Sequence, residues 1–147
     1  MSRDVKVCGV TSAGDARLCH AAGAGLLGVI LTASPRQIDP LQAAAIVAAV
    51  PGARVVGVVR DAPTAALALQ LRVAGVQVVQ MHGRADPRRW AAVAEASGLP
   101  IMPAVTADQA DAAFAAVRDQ PGLPLAGLLL DLPKGAAADQ TARERLW

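Results

Sequence analysis

The feature that most constrains the fold is a repeat: a short apolar run rich in β-branched residues, followed by a longer Ala- and Leu-rich stretch. The repeat occurs six times, with predicted strands over residues 5–10, 26–31, 54–59, 76–81, 100–105 and 127–131. This spacing is typical of consecutive βα units. The predicted strands are nearly continuous apolar runs, as expected for a parallel sheet that is buried on both faces.

Helix boundary signals fall between these strands. Asp-Pro pairs at 39–40 and 86–87 each place a capping side chain before a proline at the first helical position. Asp61 and Thr106 are predicted to begin helices in a similar way. Three predicted helix ends are followed by a glycine, the residue that most easily takes the left-handed conformation there: Gly23, Gly75 and Gly98.

A repeated βα pattern fits either a (β/α)8 barrel of TIM type or an open, doubly wound sheet. An open nucleotide-binding sheet usually has a glycine-rich turn after its first strand. Residues 8–14 read CGVTSAG, which matches neither the dinucleotide-binding pattern nor the P-loop pattern. The turn therefore argues against both of these sites, while the repeat alone leaves the two architectures open.

Composition narrows the functional classes. A hydrophobic content of 54% excludes a disordered chain, and an aromatic content of 2% with a net charge of +2 argues against a nucleic-acid surface. The charged start and the short apolar run over 21–33 predict neither a signal peptide nor a membrane span. Cys8 and Cys19 predict no disulfide framework and no metal site. We therefore expect a single cytoplasmic domain over residues 1–147.

Five short motifs follow one another in a recognisable order: VKVCGVT at 5–11, GVIL and SPR within 28–36, VGVV at 56–59, VVQMHG at 78–83 and LLLD at 128–131. Together they resemble the motifs of the phosphoribosylanthranilate isomerase family of tryptophan biosynthesis. The resemblance implies a (β/α)8 barrel and an Amadori rearrangement of a phosphosugar–anthranilate substrate. It implies no cofactor and no metal, because the Schiff base formed from the substrate serves as the electron sink.

The same resemblance implies roles for individual residues. Cys8 corresponds to the general base and Asp131 to the general acid, each at the carboxyl end of its predicted strand, where barrel enzymes hold their active sites. Arg36 corresponds to the arginine that pairs with the anthranilate carboxylate, which suits a planar guanidinium. Gln80 and His82 are expected to line the pocket and bind substrate, with no proton-transfer role assigned to His82.

The residues themselves support and limit these roles. A lone cysteine in a strand is usually a small buried hydrophobe. Lys6 lies two residues before Cys8 and so shares its strand face, and we hypothesise that its ammonium group helps the thiolate to form. Asp131 ends an apolar run, and an apolar setting would favour the neutral carboxyl that a general acid needs. Cys19 and His20 are interpreted as packing and surface residues of the first helix.

The sequence also departs from the family pattern. Residues 132–140 lack the paired glycines that the family has after this aspartate, although Trp147 resembles the tryptophan closing that stretch. Six βα units are fewer than an eight-stranded barrel needs. We therefore expect an incomplete barrel without strands seven and eight, with open edges at its first and sixth strands. It is interpreted as a truncated product, a chain completed by self-association or a second chain, or a non-catalytic relative.

Three rival functions remain. Another phosphosugar enzyme on this fold, such as indole-glycerol-phosphate synthase or ribulose-phosphate epimerase, would need catalytic Lys/Glu or metal-binding His/Asp sets that the sequence barely supplies. A catalytically inactive binding or assembly module would tolerate changes at Cys8 and Asp131. A flavodoxin-type regulatory domain would need an acidic cluster after the first strand or a phosphate loop, and neither is present.

Overall fold

The structure, a computed structural model, describes residues 5–60 and 63–131. Strands and helices alternate through these ranges as predicted. The strands are β1 (Val5–Cys8), β2 (Ala24–Ile30), β3 (Arg54–Val59), β4 (Val78–His82), β5 (Ile101–Thr106) and β6 (Leu129–Asp131). The helices are α1 (Ala13–Ala21), α2 (Pro40–Ala49), α3 (Thr64–Ala74), α4 (Pro87–Ser97) and α5 (Ala110–Arg118), with a 3-10 turn at Ala107–Gln109 before α5.

Strand boundaries differ from the predictions by about two residues. The first strand ends at Cys8 rather than residue 10, because Gly9 takes a φ of 85° and turns the chain out of the sheet. The fourth and sixth strands begin at Val78 and Leu129, two residues later than predicted. Apolar residues that join a strand to its preceding loop continue the hydrophobic run, so hydrophobicity alone does not mark where pairing begins.

All six strands lie in one parallel sheet, in the order in which they occur along the chain. An open doubly wound sheet reverses its strand order at a switch point, and no reversal occurs here. Residues from β1, β4 and β6 line a single pocket, so the sheet curls as the wall of a barrel does. The predicted fold class, a (β/α)8 barrel type with about six βα units, is confirmed.

The core has two layers, one on each face of the sheet. Leu27, Val55 and Val79 point outward and pack in one cluster with helix residues such as Ile46 and Leu71. Residues of the opposite parity, Leu26, Val56 and Val78, form a second cluster on the concave face with Met102 and Ala126. Side chains alternate across a strand, and both faces are covered, which explains the continuous apolar runs.

The helix boundary signals are largely confirmed. The Asp39 carboxylate accepts a hydrogen bond from the Gln42 backbone at 2.8 Å, and the Gln42 side chain accepts one from the Asp39 backbone at 3.1 Å. Gly75 and Gly98 end their helices in the left-handed conformation. Asp61 lies outside the described residues, and α3 begins directly after Pro63.

The first and last described strands differ from the rest. Within the described ranges, β1 pairs only with β2 and β6 only with β5. Val5 is 56% exposed and Leu130 is 44% exposed. Within the described ranges these two strands are therefore the edges of the sheet, whereas the prediction that strands seven and eight are missing concerns residues 132–147, which fall outside the described residues. None of the described helices is long and apolar enough to cross a membrane.

Candidate active site

The carboxyl ends of the strands surround a pocket of about 390 Å³. Parallel strands place these ends on one face of the sheet, where barrel enzymes hold their active sites. The structure brings all five predicted site residues together in this pocket. Its lining consists of Lys6, Cys8, Arg36, Gln80, His82, Leu129 and Asp131.

Lys6 and Cys8 converge on the space beside Gly28 of the neighbouring strand. A Cβ atom at Gly28 would lie 2.8 Å from the Cys8 Sγ and 3.1 Å from the Lys6 Nζ. The ammonium and the thiol therefore share a strand face, as predicted, within the roughly 4–6 Å over which opposite charges interact. Cys8 is exposed, so its thiol is accessible to a ligand rather than buried as a core residue.

Arg36 reaches across from the loop after β2 to the end of β1. Its backbone N–H donates to the Ser34 hydroxyl at 3.2 Å, and its Nη1 donates to the Cys8 carbonyl at 3.0 Å. The guanidinium lies directly over Gly9, where any Cβ atom would collide with it. These contacts fix the guanidinium at the pocket and leave other N–H groups available for a carboxylate.

Gln80 and His82 form the floor of the pocket on β4. Gln80 is only 2% exposed, and its Nε2 lies 2.6 Å from His82 Nε2. Its Oε1 has no hydrogen-bond partner in the part of the chain that the structure describes. Burial lowers the pKa of His82 from 6.5, and Asp131 opposes this shift while Arg60 and Lys6 add to it. The lowered pKa favours the neutral imidazole of His82, which has a single N–H.

Asp131 ends β6 and stands beside Thr106 of β5 in the sheet register. Its Oδ2 lies 3.6 Å from His82 Nδ1, and its side chain is 47% exposed. The prediction of an apolar setting for this carboxyl is wrong. The apolar residues before Asp131 lie along an edge strand, and the carboxyl itself faces an open pocket and an imidazole.

Sequence reasoning missed two neighbours of the site. Arg60, which directly follows β3, lines two smaller pockets of about 240 and 250 Å³ that share His82 with the main site. Thr106 lines one of them, although it was predicted only as a helix start. The signal for both was available: each is a polar residue at the carboxyl end of a buried strand.

Other polar groups lie away from this pocket. His20 Nδ1 contacts the Ala24 carbonyl at 3.1 Å, and Cys19 packs against the core from α1. Within residues 5–60 and 63–131, no group of three or more His, Cys, Asp or Glu is placed to hold a metal ion. A larger pocket of about 570 Å³ lies against α4, but its one charged lining residue is Glu95 and it contains no predicted site residue.

Comparisons with known sequences agree on one family. The family model described as N-(5'phosphoribosyl)anthranilate (PRA) isomerase matches residues 5–140. A curated relative of that name from Rhodopseudomonas palustris is 36% identical over 145 residues, covering 92% of this chain and 63% of its own. One from Paracoccus denitrificans is 40% identical over 107 residues, covering 71% and 50%. The chain thus spans about half to two thirds of the length of these relatives.

Solved structures of the same name share the fold. Phosphoribosyl anthranilate isomerase from Thermus thermophilus has a TM-score of 0.75 and 33% identity, covering 97% of this chain and 70% of its own. The structure from Thermotoga maritima has a TM-score of 0.77 at 22% identity, covering 95% and 67%. Both support the barrel architecture, and the first also supports kinship in sequence.

Proposed function

The chain belongs to the N-(5'-phosphoribosyl)anthranilate isomerase family, and on that premise we propose that it acts as an isomerase in tryptophan biosynthesis. The reaction is the Amadori rearrangement of N-(5-phosphoribosyl)anthranilate to 1-(2-carboxyphenylamino)-1-deoxyribulose 5-phosphate. One observation carries the proposal: a thiol, a carboxyl and a guanidinium from separate parts of the chain line one pocket at the carboxyl ends of the strands.

Ring opening is the first step, and it needs an acid. Asp131, in its protonated form, gives its proton to the ring oxygen of the ribose. The bond between that oxygen and the anomeric carbon then breaks, and the lone pair of the anthranilate nitrogen forms the Schiff base. The position of Asp131 at the open side of the pocket supports this role, because its carboxyl is accessible to the sugar.

Proton removal is the second step, and it needs a base. The Cys8 thiolate removes the proton on the second carbon of the sugar, and the electron pair of that bond moves toward the Schiff-base nitrogen. The resulting enol then becomes the ketone as its hydroxyl proton is lost to solvent and a proton is added to the first carbon. Lys6 supports the role of Cys8, because its ammonium group and the thiol that acts as base lie together beside Gly28.

Substrate orientation is assigned to the remaining pocket residues. Arg36 binds the anthranilate carboxylate through N–H groups that its contact with the Cys8 carbonyl leaves available. Gln80 and His82 support the sugar from the floor of the pocket. A fold relative, 24% identical, has been solved in complex with reduced 1-(o-carboxyphenylamino)-1-deoxyribulose 5-phosphate, and we assign a ligand of the same kind to this pocket.

Turnover by the purified chain tests the proposal, followed as the change in anthranilate fluorescence. Cys8→Ala and Asp131→Ala should each lower kcat by about 10²- to 10⁴-fold, the usual contribution of a positioned acid or base. Cys19→Ala and Asp119→Ala are matched controls, because they remove the same groups from outside the pocket, in α1 and directly after α5. A folded wild-type chain without turnover, or one insensitive to the two pocket variants, would contradict the proposal.

A further inference from the structure

Three side chains form a continuous path from the buried floor of the pocket to its open side. Gln80 Nε2 lies 2.6 Å from His82 Nε2, and His82 Nδ1 lies 3.6 Å from Asp131 Oδ2. Exposure rises along this path, from 2% for Gln80 to 26% and 47% for the other two side chains. The imidazole therefore connects a rigid buried amide to the exposed carboxyl that is assigned as the acid.

The path favours one tautomer of His82. With the Gln80 amide oriented as in this structure, its Nε2 donates a hydrogen bond and the His82 Nε2 that faces it accepts. The single proton of the neutral ring then lies on Nδ1 and points toward Asp131, since the bond made by one ring nitrogen sets the state of the other. Once Asp131 has given up its proton, the opposite tautomer would aim a lone pair at the carboxylate, so this step favours the same arrangement.

The buried amide of Gln80 contacts His82 through its Nε2. Gln80 is paired in register with Val58 and Met102, and its Oε1 has no hydrogen-bond partner within the described ranges. A buried polar atom without a partner destabilises the folded chain. An apolar side chain at this position would avoid that cost but would leave the orientation of the imidazole unset.

We infer that His82 is the positioning residue for Asp131, with Gln80 fixing its tautomer. The Nδ1–H of His82 holds the carboxyl toward the substrate and stabilises the carboxylate that forms when Asp131 gives its proton to the ring oxygen. The inference rests on the proposed function for its catalytic part. A separation of 3.6 Å is longer than a hydrogen bond, and contacts between catalytic groups commonly shorten when substrate binds.

Burial and two nearby positive charges lower the pKa of the His82 imidazole. Lys6 from β1 and Arg60 after β3 both oppose protonation of His82, and burial does so most strongly. Asp131 is the one charged neighbour among these that favours protonation. These effects favour the neutral ring, which donates one hydrogen bond without competing with Asp131 as the proton donor.

Nitrogen-15 NMR of the histidine side chains tests the geometry without any need for turnover. The chain contains only two histidines, so a His20→Asn variant assigns both signals. In the wild type near pH 7.5, His82 should carry its proton on Nδ1. Gln80→Leu, which removes the donor but keeps the volume, should increase the fraction protonated on Nε2. A wild-type ring protonated mainly on Nε2 would overturn the inference.

Two amide variants test the catalytic part. In His82→Asn the side-chain nitrogen can occupy the place of Nδ1, whereas in His82→Gln it reaches the place of Nε2. We expect His82→Asn to keep a kcat at least about tenfold above that of His82→Gln, with a smaller difference in KM, because misplacing a reacting group by about an ångström costs up to 10²-fold. Circular dichroism verifies that both variants are folded.

The outcomes separate this inference from the proposed function. If turnover depends on Cys8 and Asp131 but the two amide variants have equal kcat, the positioning role is wrong and the isomerase proposal stands. If turnover does not depend on Cys8 and Asp131, the isomerase proposal and the catalytic part of this inference both fail. The NMR measurement still tests the tautomer of His82, because it does not depend on turnover.

Discussion

The inner strands and the edge strands of the sheet have different environments and different tasks. In β2, β3 and β4 every residue but one is buried, and in β5 most are. In β1 and β6 every residue is at least partly exposed. The proposed base and the proposed acid are the last residues of β1 and β6, so each stands on an edge strand.

The inner strands therefore contribute mainly to stability, and the edge strands contribute the proposed catalytic groups. Burying a Val or Leu side chain contributes about 1.5–3 kcal/mol, so the inner strands supply most of the stabilising surface. The edge strands contribute less to the core, and their exposed ends present a thiol and a carboxyl to a ligand. The inner strand β4 contributes to both stability and chemistry. It is buried along most of its length, and it carries the pocket residues Gln80 and His82 at its end.

The largest expected effect is a difference in stability between these two regions. Leu27→Ala, at a fully buried position of β2, should lower the free energy of unfolding by about 2–5 kcal/mol. Cys8→Ala, at an exposed position, should change it by less than about 0.5 kcal/mol. Urea denaturation measures both. Similar losses in the two variants would show that the edge strand also stabilises the fold.

The second effect is a change in KM that distinguishes displacement of Arg36 from backbone strain alone. Gly9 and Gly75 both have positive φ angles, so an alanine at either position costs about 1 kcal/mol of stability. Only at Gly9 does the new Cβ displace the Arg36 guanidinium, since nothing lies within 4 Å of the Cβ position at Gly75. We expect Gly9→Ala to raise KM by about tenfold, the loss of one charge-assisted hydrogen bond. Equal KM values in the two variants would contradict the role assigned to Arg36.

The third effect tests the pairing of Lys6 with Cys8 on β1. In a Cys19→Ala background, Lys6→Met should slow the alkylation of Cys8 by iodoacetamide at pH 7. The expected decrease is roughly two- to fivefold, because exposed charge pairs contribute up to about 1 kcal/mol. Arg17→Met, which removes a cation from α1, is the control and should leave the rate unchanged. A rate that Lys6→Met does not alter would disprove our hypothesis for this lysine.

The smallest effect is a pH dependence that originates in β4. The pKa of His82 is lowered in the folded state, so below pH 6.5 the unfolded chain binds a proton that the folded chain does not yet bind. The free energy of unfolding should therefore fall as the pH decreases from 6.5 toward the lowered pKa. His82→Gln should reduce this slope, and His20→Gln, on α1, is its matched control. An unchanged slope in His82→Gln would mean that burial does not lower the pKa of this imidazole.

The features that sequence predicts best are those that depend on neighbours along the chain. Apolar runs predict the strands because burial on both faces demands them, and Asp39 caps α2 through atoms only three residues away. The shared strand face of Lys6 and Cys8 follows from a spacing of two. The motif resemblance places Arg36 and Asp131 in one site, although neither spacing nor composition indicates that they meet.

The features that sequence misses depend on register and on side-chain direction across the sheet. The approach of Cys8 to Gly28 needs the pairing of β1 with β2, and the contact of His82 with Asp131 needs the curl that brings β4 and β6 to one pocket. Hydrophobicity also indicates that the run before Asp131 is buried, but it does not show that this strand lies at an edge. For that reason the setting of the carboxyl was predicted wrongly.

Gly28 shows how an absent side chain can define a site. Its missing Cβ leaves the space where the thiol of Cys8 and the ammonium of Lys6 come together. An alanine scan, which identifies functional positions by removing atoms, would here add one and force apart two groups on another strand. A loss of activity in Gly28→Ala would then result from crowding of Cys8 and Lys6, not from the loss of a group that glycine provides. The space beside Gly28 is already filled by these two side chains, and mutational data on this face of the sheet should be interpreted accordingly.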